Sequence, residues 1–316
     1  MTDLKTGLLL WSQAATWPEM LDAATRVDRL GYDTLWTWDH LYAIFGDPYQ
    51  PIVEGWTTLA AWAMATERTR LGLLVGANTF RNPGLMAKSA ATLDHISGGR
   101  AILGIGGAWM EPEHTAHGIE FGSGFGQRLD WMHESVAAMR ALLDGRAVTS
   151  PPGGRYAFDD LRHSPLPLQP RLPIMIGGSG EKKTLRTVAM YADMWNAMGP
   201  VEVMARKVEV LREHCAIVGR DISEIEFTLG VKLTIRDDRA EARRVRDAAM
   251  ARNRTPLTDI EDDDTFWEGS PMEIADRLRP YVELGFTTVL SEQPAPYDVE
   301  TMERFIGEVK SLVDAG

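Results

Sequence analysis

The sequence predicts an α/β protein built as a TIM-like (β/α)8 barrel, with insertions at about residues 145–172 and 237–269. Two observations support this fold class. Short apolar runs alternate with longer amphipathic stretches along the 316 residues, as strands alternate with helices in α/β folds. Eight such runs are present, which is the number of strands that closes this barrel. A doubly wound sheet is the alternative, because it shows the same alternation.

Four strands are predicted in the first half of the chain. They span residues 7–11, 34–38, 70–77 and 101–105, with helices at about 18–30, 56–67, 83–96 and 127–143. The strands are apolar throughout, as expected for strands buried on both faces of a parallel sheet. Pro18 and Pro83 suit the first turn of a helix, and Gly31 suits a helix end. The long irregular segment 41–55 is typical of a functional loop.

Four further strands are predicted in the second half. They span residues 173–176, 194–197, 225–235 and 287–291, with helices from about 181 and at about 201–218 and 299–313. Ser270 and Glu273 have the spacing of a capping box at the start of another helix. The first insertion is rich in proline and glycine, with room for a hairpin near 155–161. Because the alternation runs along the chain, we expect one domain over residues 1–316.

The charge balance and the cysteine content narrow the class of function. The formal net charge is −12, whereas a nucleic-acid-binding surface needs a basic stripe. Cys215 is the only cysteine, so no intramolecular disulfide can form and a reducing compartment is expected. The first residues lack the pattern of a signal peptide, and no apolar run approaches the ~20 residues that span a bilayer. We therefore expect a cytoplasmic protein that acts on a small molecule, without nucleic-acid or membrane partners.

A glycine-rich strand end is the first candidate binding site. Gly106 and Gly107 directly follow the predicted strand 101–105, so a ligand can approach the backbone closely there. Ala108 and Trp109 continue this loop at the end of the barrel where active sites are built. The segment is predicted to lie against a flat ligand. A tight turn anchored by the tryptophan is the alternative.

Asp39 and His40 follow the second predicted strand and are the first candidate catalytic residues. Histidine readily exchanges a proton near neutral pH. Asp39 precedes His40 directly and is predicted to orient its ring. A structural Asp–His pair that holds the 41–55 loop is the alternative.

A second glycine-rich turn connects a predicted strand to a basic helix. Its residues are Gly177, Gly178, Ser179 and Gly180. Free backbone amides and the helix dipole favour an anion at such a turn, and Lys182 or Lys183 adds a positive charge. The spacing matches neither a Walker A loop nor GxGxxG. The turn predicts a phosphate site, with a plain helix cap as the alternative.

Other chemistries are weakly supported by the spacing. The candidate metal ligands are Glu111, Glu113, His114 and His117. Pro112 interrupts this set and nothing fixes a fourth ligand, so no metal is expected. The candidate acids for glycoside hydrolysis are Asp39, Glu113 and Glu292, whose separation nothing sets. Four tryptophans near strand ends are predicted to wall an aromatic pocket: Trp11, Trp38, Trp109 and Trp195.

Three segments resemble the luciferase-like monooxygenase superfamily, and more narrowly its coenzyme F420-dependent oxidoreductases. They are GYDTLWTWDHL (31–41), NTFRNPGLMAKSAATLDHISGGRAILGIGGAW (78–109) and IGGSGEKKTLRTVAMYADMWN (176–196). The resemblance covers nearly the whole chain and is weakest over residues 236–269. It implies a TIM-like barrel, often dimeric, that binds F420 or FMN at the C-terminal ends of the strands.

The resemblance also implies roles for individual residues. Asp39 and His40 match the positions beside the reactive ring of the cofactor. The backbone of Gly106, Gly107 and Ala108 matches the surface under the cofactor, and the turn 177–180 matches its phosphate site. The further cofactor-binding residues that the resemblance implies are Leu74, Val75, Ala77 and Asn78. It also implies a non-proline cis peptide at about residues 74–75.

The leading hypothesis is an F420-dependent oxidoreductase that transfers a hydride between C5 of the deazaflavin and a small organic substrate. His40 is the predicted proton donor or acceptor, and Asp39 its orienting partner. Trp109 stands where sugar-phosphate dehydrogenases of the superfamily carry an acidic glutamate, which favours a flatter or more apolar substrate than glucose 6-phosphate. The alternatives are a reduced-FMN monooxygenase of the same fold and a non-catalytic flavin-binding protein. A homodimer is expected from family habit alone.

Overall fold

The computed structural model describes residues 3–315, and its ten strands form one sheet that closes into a barrel. The strands are β1 (Lys5–Leu10), β2 (Thr34–Thr37), β3 (Arg70–Leu73), β4 (Gly76–Ala77), β5 (Ala101–Gly106), β6 (Ile174–Gly177), β7 (Met194–Ala197), β8 (Glu226–Ile235), β9 (Phe266–Gly269) and β10 (Phe286–Gln293). Eight strands follow the order β1-β2-β3-β5-β6-β7-β8-β10, and β10 pairs with both β1 and β8. The strand pairings are parallel, so the predicted (β/α)8 barrel is confirmed and the doubly wound sheet is excluded.

Helices alternate with the strands. They are α1 (Trp17–Leu30), α2 (Gly55–Ala65), α3 (Pro83–Ser97), α4 (Glu111–Ala116), α5 (Phe125–Leu143), α6 (Thr184–Tyr191), α7 (Val201–Val218), α8 (Arg239–Arg252), α9 (Pro271–Glu283), α10 (Val299–Arg304) and α11 (Lys310–Asp314). A π-helix, Phe305–Val309, joins α10 to α11, so the predicted terminal helix consists of three segments. None of the helices within residues 3–315 has the length and apolarity needed to cross a membrane.

Side-chain caps explain several helix boundaries. Thr16 accepts a hydrogen bond from the backbone amide of Glu19 and begins α1, and Gly31 ends it with a left-handed φ of 88°. Ser270 and Glu273 form the predicted capping box at the start of α9. These caps satisfy backbone groups that have no partner within the helix.

Alternate residues of the barrel strands belong to two apolar clusters. One cluster includes Leu9, Trp36, Ile102 and Met175. Their neighbours along the chain, which pack with helical residues in the second cluster, are Leu8, Leu35, Leu103 and Ile174. This alternation is the two-residue period of a strand. It places the first cluster inside the barrel and the second between the barrel and its helices.

The third predicted strand, residues 70–77, is interrupted. β3 ends at Leu73, a cis peptide joins Leu74 to Val75, and β4 resumes beside β5 with Ala77 opposite Gly106. Val75 projects from this break toward the ends of β5 and β6. A Cβ atom on Gly106 would lie 2.6 Å from Cγ2 of Val75, and one on Gly177 would lie 2.9 Å from its Cγ1. Only glycine at these two strand ends leaves room for the Val75 side chain.

The two insertions lie in different parts of the fold. In the first, the predicted hairpin reduces to an isolated antiparallel bridge between Val148 and Leu161. Asp94 of α3 accepts hydrogen bonds from the backbone amides of Leu168 and Gln169 and holds this insertion near the beginnings of the strands. The second contains α8 and β9, and β9 extends the sheet along the second half of β8. The sequence did not predict β9, because its four residues directly follow an acidic loop.

Candidate functional site

A cavity of about 420 Å³ opens at the C-terminal ends of the barrel strands. Its lining is Trp38, Asp39, His40, Ile44, Phe45, Leu74, Val75, Gly76, Ala77, Gly106, Gly107, Ala108, Trp109, Glu113, Phe125, Gly177, Gly178, Ser179, Asn196, Ala197, Met198, Lys232 and Glu292. Among the predicted catalytic and cofactor-binding residues, Asn78 and Gly180 alone lie outside this lining. The Gly106 and Gly178 turns therefore face the same cavity. One ligand could touch both turns only in such an arrangement.

The loop after β5 forms one wall of the cavity. Ala108 has a left-handed φ of 56°, a conformation that is uncommon for a residue with a side chain. The Gly106 carbonyl accepts a hydrogen bond from the backbone amide of Asn78, which fixes the loop after β4 against β5. Asn78 is buried behind the wall and its side-chain amide donates to the carbonyl of Arg128. Asn78 therefore contributes to the cavity wall only through its backbone hydrogen bond to Gly106.

His40 is held by a buried carboxylate. Nδ1 of His40 lies 2.9 Å from Oε1 of Glu113, and the other oxygen of Glu113 accepts from the backbone amides of Leu41 and Tyr42. Burial raises the pKa of Glu113, but the hydrogen bond from His40 and those from the two amides outweigh it and lower this pKa. An ionised carboxylate only accepts hydrogen bonds, so Nδ1 of His40 carries a proton. Nε2 is then the ring nitrogen that remains for a ligand.

The prediction that Asp39 orients His40 is wrong. Oδ2 of Asp39 lies 2.8 Å from the backbone amide of Ala77 and 2.6 Å from Nη1 of Arg81. Arg81 also donates to Glu54, the N-cap residue of α2. Asp39 and His40, although adjacent in the chain, therefore have separate partners. Asp39 instead fixes the loop between β3 and β5.

Glu113 was missed as the partner of His40 because it lies 73 residues further along the chain. It belongs to α4, a six-residue helix that the sequence did not predict. The acidic residues directly after the glycine-rich strand end were the available signal. From the sequence, these residues are candidates only for metal ligands or hydrolytic acids.

The aromatic residues are only partly arranged as predicted. Trp109 is 59% exposed at the cavity mouth, with its ring centroid 5.6 Å from that of His40. Trp38 also lines the cavity, and behind it Trp11 stacks on Phe45. Trp195 does not line the cavity: it is fully buried, and its indole nitrogen donates to the carbonyl of Gly178. It supports the second glycine turn from inside the protein.

The second glycine turn is more extended than predicted. Gly178 has a φ of 115° and donates its amide to the carbonyl of Asn196. The helix that follows begins at Thr184, three residues later than expected, because residues 181–183 form a turn. Nζ of Lys183 lies 2.7 Å from the carboxylate of Asp130, so its charge is directed at α5 and not at the cavity. The turn thus offers backbone amides and the Ser179 hydroxyl to an anion.

The contacts of the candidate metal ligands and hydrolytic acids do not favour a metal site or glycoside hydrolysis. His114 places one ring nitrogen 2.6 Å from Oγ1 of Thr79 and the other 2.7 Å from the carbonyl of Met110. Both of its nitrogens are therefore engaged away from Glu113. Of the candidate hydrolytic acids, Glu113 is bound to His40 and Asp39 to Arg81, which leaves neither free to act on a sugar.

Comparisons with known proteins agree with this geometry. Residues 5–288 match the family described as luciferase-like monooxygenase. An uncharacterized protein of Mycobacterium bovis is 32% identical over 182 residues, which cover 55% of this chain and 60% of that relative. The chain thus spans under two thirds of that relative's length. An F420-dependent glucose-6-phosphate dehydrogenase of Kineococcus radiotolerans is 27% identical over 337 aligned residues, covering 98% of this chain and 97% of the relative.

Solved structures show the same fold. An F420-dependent secondary alcohol dehydrogenase in complex with an F420-acetone adduct has a TM-score of 0.83 and 19% identity, covering 98% of this chain and 99% of that one. The monooxygenase RslO1 from Streptomyces bottropensis has a TM-score of 0.81 and 21% identity, covering 99% of each chain. Because the family match extends over most of the sequence, this chain belongs to the luciferase-like monooxygenase family.

Proposed function

We propose that this protein is an F420-dependent oxidoreductase that acts on a small organic substrate. The observation that carries the proposal is the single cavity into which the Gly106 turn, the Gly178 turn and the His40–Glu113 pair all open. Relatives and structural neighbours named as F420-dependent enzymes support the choice of cofactor. The Trp109 ring beside His40 favours a flat or apolar substrate.

The residues of the cavity fit a flat cofactor with an anionic tail. Val75 and the backbone of Gly106, Gly107 and Ala108 offer a surface with few polar side chains. The turn at Gly178 offers amides and a hydroxyl that suit a phosphate. When bound, the deazaflavin would supply the hydride-transferring centre, and the protein would orient it and manage one proton.

His40 is the residue that would move the proton. With Nδ1–H donated to Glu113, Nε2 takes a proton from a substrate hydroxyl or, when protonated, returns one to a substrate carbonyl. Glu113 holds Nδ1 and the orientation of the ring whether or not Nε2 carries a proton. The pair can therefore serve either direction of the reaction.

Titration of the purified protein with F420 and with FMN tests the proposal. Ser179→Asp places a carboxylate at the anion turn, and Ser179→Asn is the uncharged control of the same size. Two negative charges about 4 Å apart repel by ~4 kcal/mol at the effective dielectric of about 20 near a protein surface, which exceeds the ~1.4 kcal/mol of a tenfold change in affinity. Both variants lose the Ser179 hydroxyl, so both should bind F420 more weakly than the wild type, and Ser179→Asp should bind it at least ~10-fold more weakly than Ser179→Asn because of the added charge. If neither cofactor binds the wild type, the proposal fails.

A reduced-FMN monooxygenase is the second candidate, favoured by the structural likeness to RslO1. The two candidates share the cavity and the anion turn, so cofactor affinity alone separates them only when one cofactor binds much more tightly. Consumption of oxygen by the protein with reduced FMN and no F420 would favour the monooxygenase. Turnover with F420 under anaerobic conditions would favour the oxidoreductase.

A further inference from the structure

Two charged residues separate the main cavity from a second one. Lys232 of β8 and Glu292 of β10 are register partners on neighbouring parallel strands. Both line the main cavity, and both line a cavity of about 280 Å³ between these strands and α8. The second cavity has apolar walls that include Leu233, Met250 and Phe266. Lys232 and Glu292 are the two lining residues that both cavities share.

The lysine is already neutralised by the protein. Nζ of Lys232 lies 2.6 Å from Oγ1 of Thr265 and 3.3 Å from Oδ2 of Asp263, and 4.8 Å from the ring centroid of Phe266. It therefore points away from Glu292, although the two residues are adjacent in the sheet.

The other charged residues around the second cavity also have partners. Arg246 pairs with Glu268, and Arg252 pairs with Glu19. Asp298 accepts from Arg236 at 2.9 Å. The charges at the edges of this cavity thus balance within the protein.

Glu292 is the exception. It is only 6% exposed, and one hydrogen bond reaches its carboxylate, from the indole nitrogen of Trp11 at 3.2 Å. Within the described part of the chain, no lysine, arginine or histidine nitrogen lies within 4.0 Å of it. A buried carboxylate without a counterion is costly, so its partner is expected to come from a ligand. Trp11 itself is fully buried and stacked on Phe45, so it offers the carboxylate one hydrogen bond and no positive charge.

We propose that Glu292 is a substrate-binding residue and that the substrate is an amine, with its ammonium group at Glu292. Its apolar part would extend into the second cavity, along Leu233, Met250 and Phe266. This inference rests on the proposed function, which assigns the rest of the main cavity to the cofactor. Anionic substrates such as sugar phosphates would be repelled by the same carboxylate.

Isothermal titration of the cofactor-loaded protein with three six-carbon probes tests this proposal. The probes are n-hexylamine, 1-hexanol and sodium hexanoate, which share their chain and differ in their polar end. Glu292→Gln keeps the size of the side chain and an acceptor for Trp11 but removes the charge. Glu303→Gln, at an exposed position of α10, is the matched control.

We expect hexylamine to bind the wild type and Glu303→Gln more tightly than the other two probes. In Glu292→Gln its affinity should fall at least ~10-fold, to that of hexanol, because a charge-assisted hydrogen bond is lost. Equal binding of hexanoate, unchanged amine affinity in Glu292→Gln, or absence of amine binding would each overturn the proposal. Titration of the same preparations with F420 tests the proposed function separately from the proposal for Glu292. Glu292→Gln should bind F420 as tightly as the wild type does. A variant that loses the cofactor as well would also overturn the assignment of Glu292 to the substrate.

Discussion

At the scale of single residues, the site depends on which side chain each carboxylate binds. His40 and Asp39 are neighbours in the chain but belong to separate networks, one closed by Glu113 and the other by Arg81. Glu113 fixes the protonated nitrogen of His40, whereas Asp39 fixes the backbone at Ala77. His40 is therefore the catalytic candidate, and Glu113 and Asp39 are positioning residues.

Glu113→Gln tests the positioning of His40. Removal of His40 in His40→Ala should lower kcat by ~100-fold or more, the usual contribution of a general acid or base. Glu113→Gln should lower kcat by ~10-fold, and the double variant should be no slower than His40→Ala, because the two groups act as a unit. The measurements are kcat for a screened substrate and the F420 dissociation constant, which should not change.

Glu111→Gln is the control for this cycle, since Glu111 is exposed on the same short helix. It should leave kcat unchanged. If the effects of His40→Ala and Glu113→Gln multiply in the double variant, Glu113 does not act through His40.

At the scale of elements, the ends of β4, β5 and β6 fit together around one side chain. The sequence predicts that Gly106 lets a ligand approach the backbone and that Gly177 belongs to an anion-binding turn. In the structure the methyl groups of Val75 lie only 2.6 Å and 2.9 Å from where Cβ atoms on Gly106 and Gly177 would be. The ligand-facing surface is thus formed by Val75 together with the backbone, and the glycines are needed to admit the valine.

Gly106→Ala should destabilise the protein because the new methyl group would lie 2.6 Å from Cγ2 of Val75. Valine has a stiff side chain, and overpacking of this kind costs ~1–3 kcal/mol of unfolding free energy. Val75→Ala in the same chain should recover part of that loss, and a urea denaturation cycle over the four proteins measures the coupling. Gly124→Ala is the control, since a Cβ atom there meets nothing within 4 Å.

At the scale of the whole molecule, the barrel could be predicted because its signals are local. Apolar runs, helix-starting prolines and the Ser270–Glu273 capping box lie within short segments, and parallel strands bring their C-terminal ends to one face. The shared cavity followed from that rule. The His40–Glu113 contact, the place of Trp195 behind Gly178 and the strand β9 depend on how distant segments pack, which no short pattern contains.

The response of the whole molecule to acid should depend on one buried carboxylate that joins α1 to the loop before β3. Asp28 accepts hydrogen bonds from the backbone amides of Glu67, Arg68 and Thr69. Burial raises the pKa of Asp28, but these bonds outweigh it and lower the pKa to about 2, from 3.8. Because the folded-state pKa is depressed, the stabilisation is fully present above pH 3.8 and is lost as the pH falls toward 2.

Asp28→Asn should therefore be less stable than the wild type at neutral pH, by roughly 1–3 kcal/mol, the usual effect of weakening hydrogen bonds to a buried charged group. The difference should shrink as the pH falls from about 4 toward 2, because protonation removes the same charge from the wild type. Asp22→Asn, which changes an exposed partner of Arg26 on the same helix, should follow the wild type at every pH. Urea denaturation midpoints between pH 7 and pH 2.5 measure all three, and a gap between Asp28→Asn and the wild type that stays constant with pH would contradict this role for Asp28.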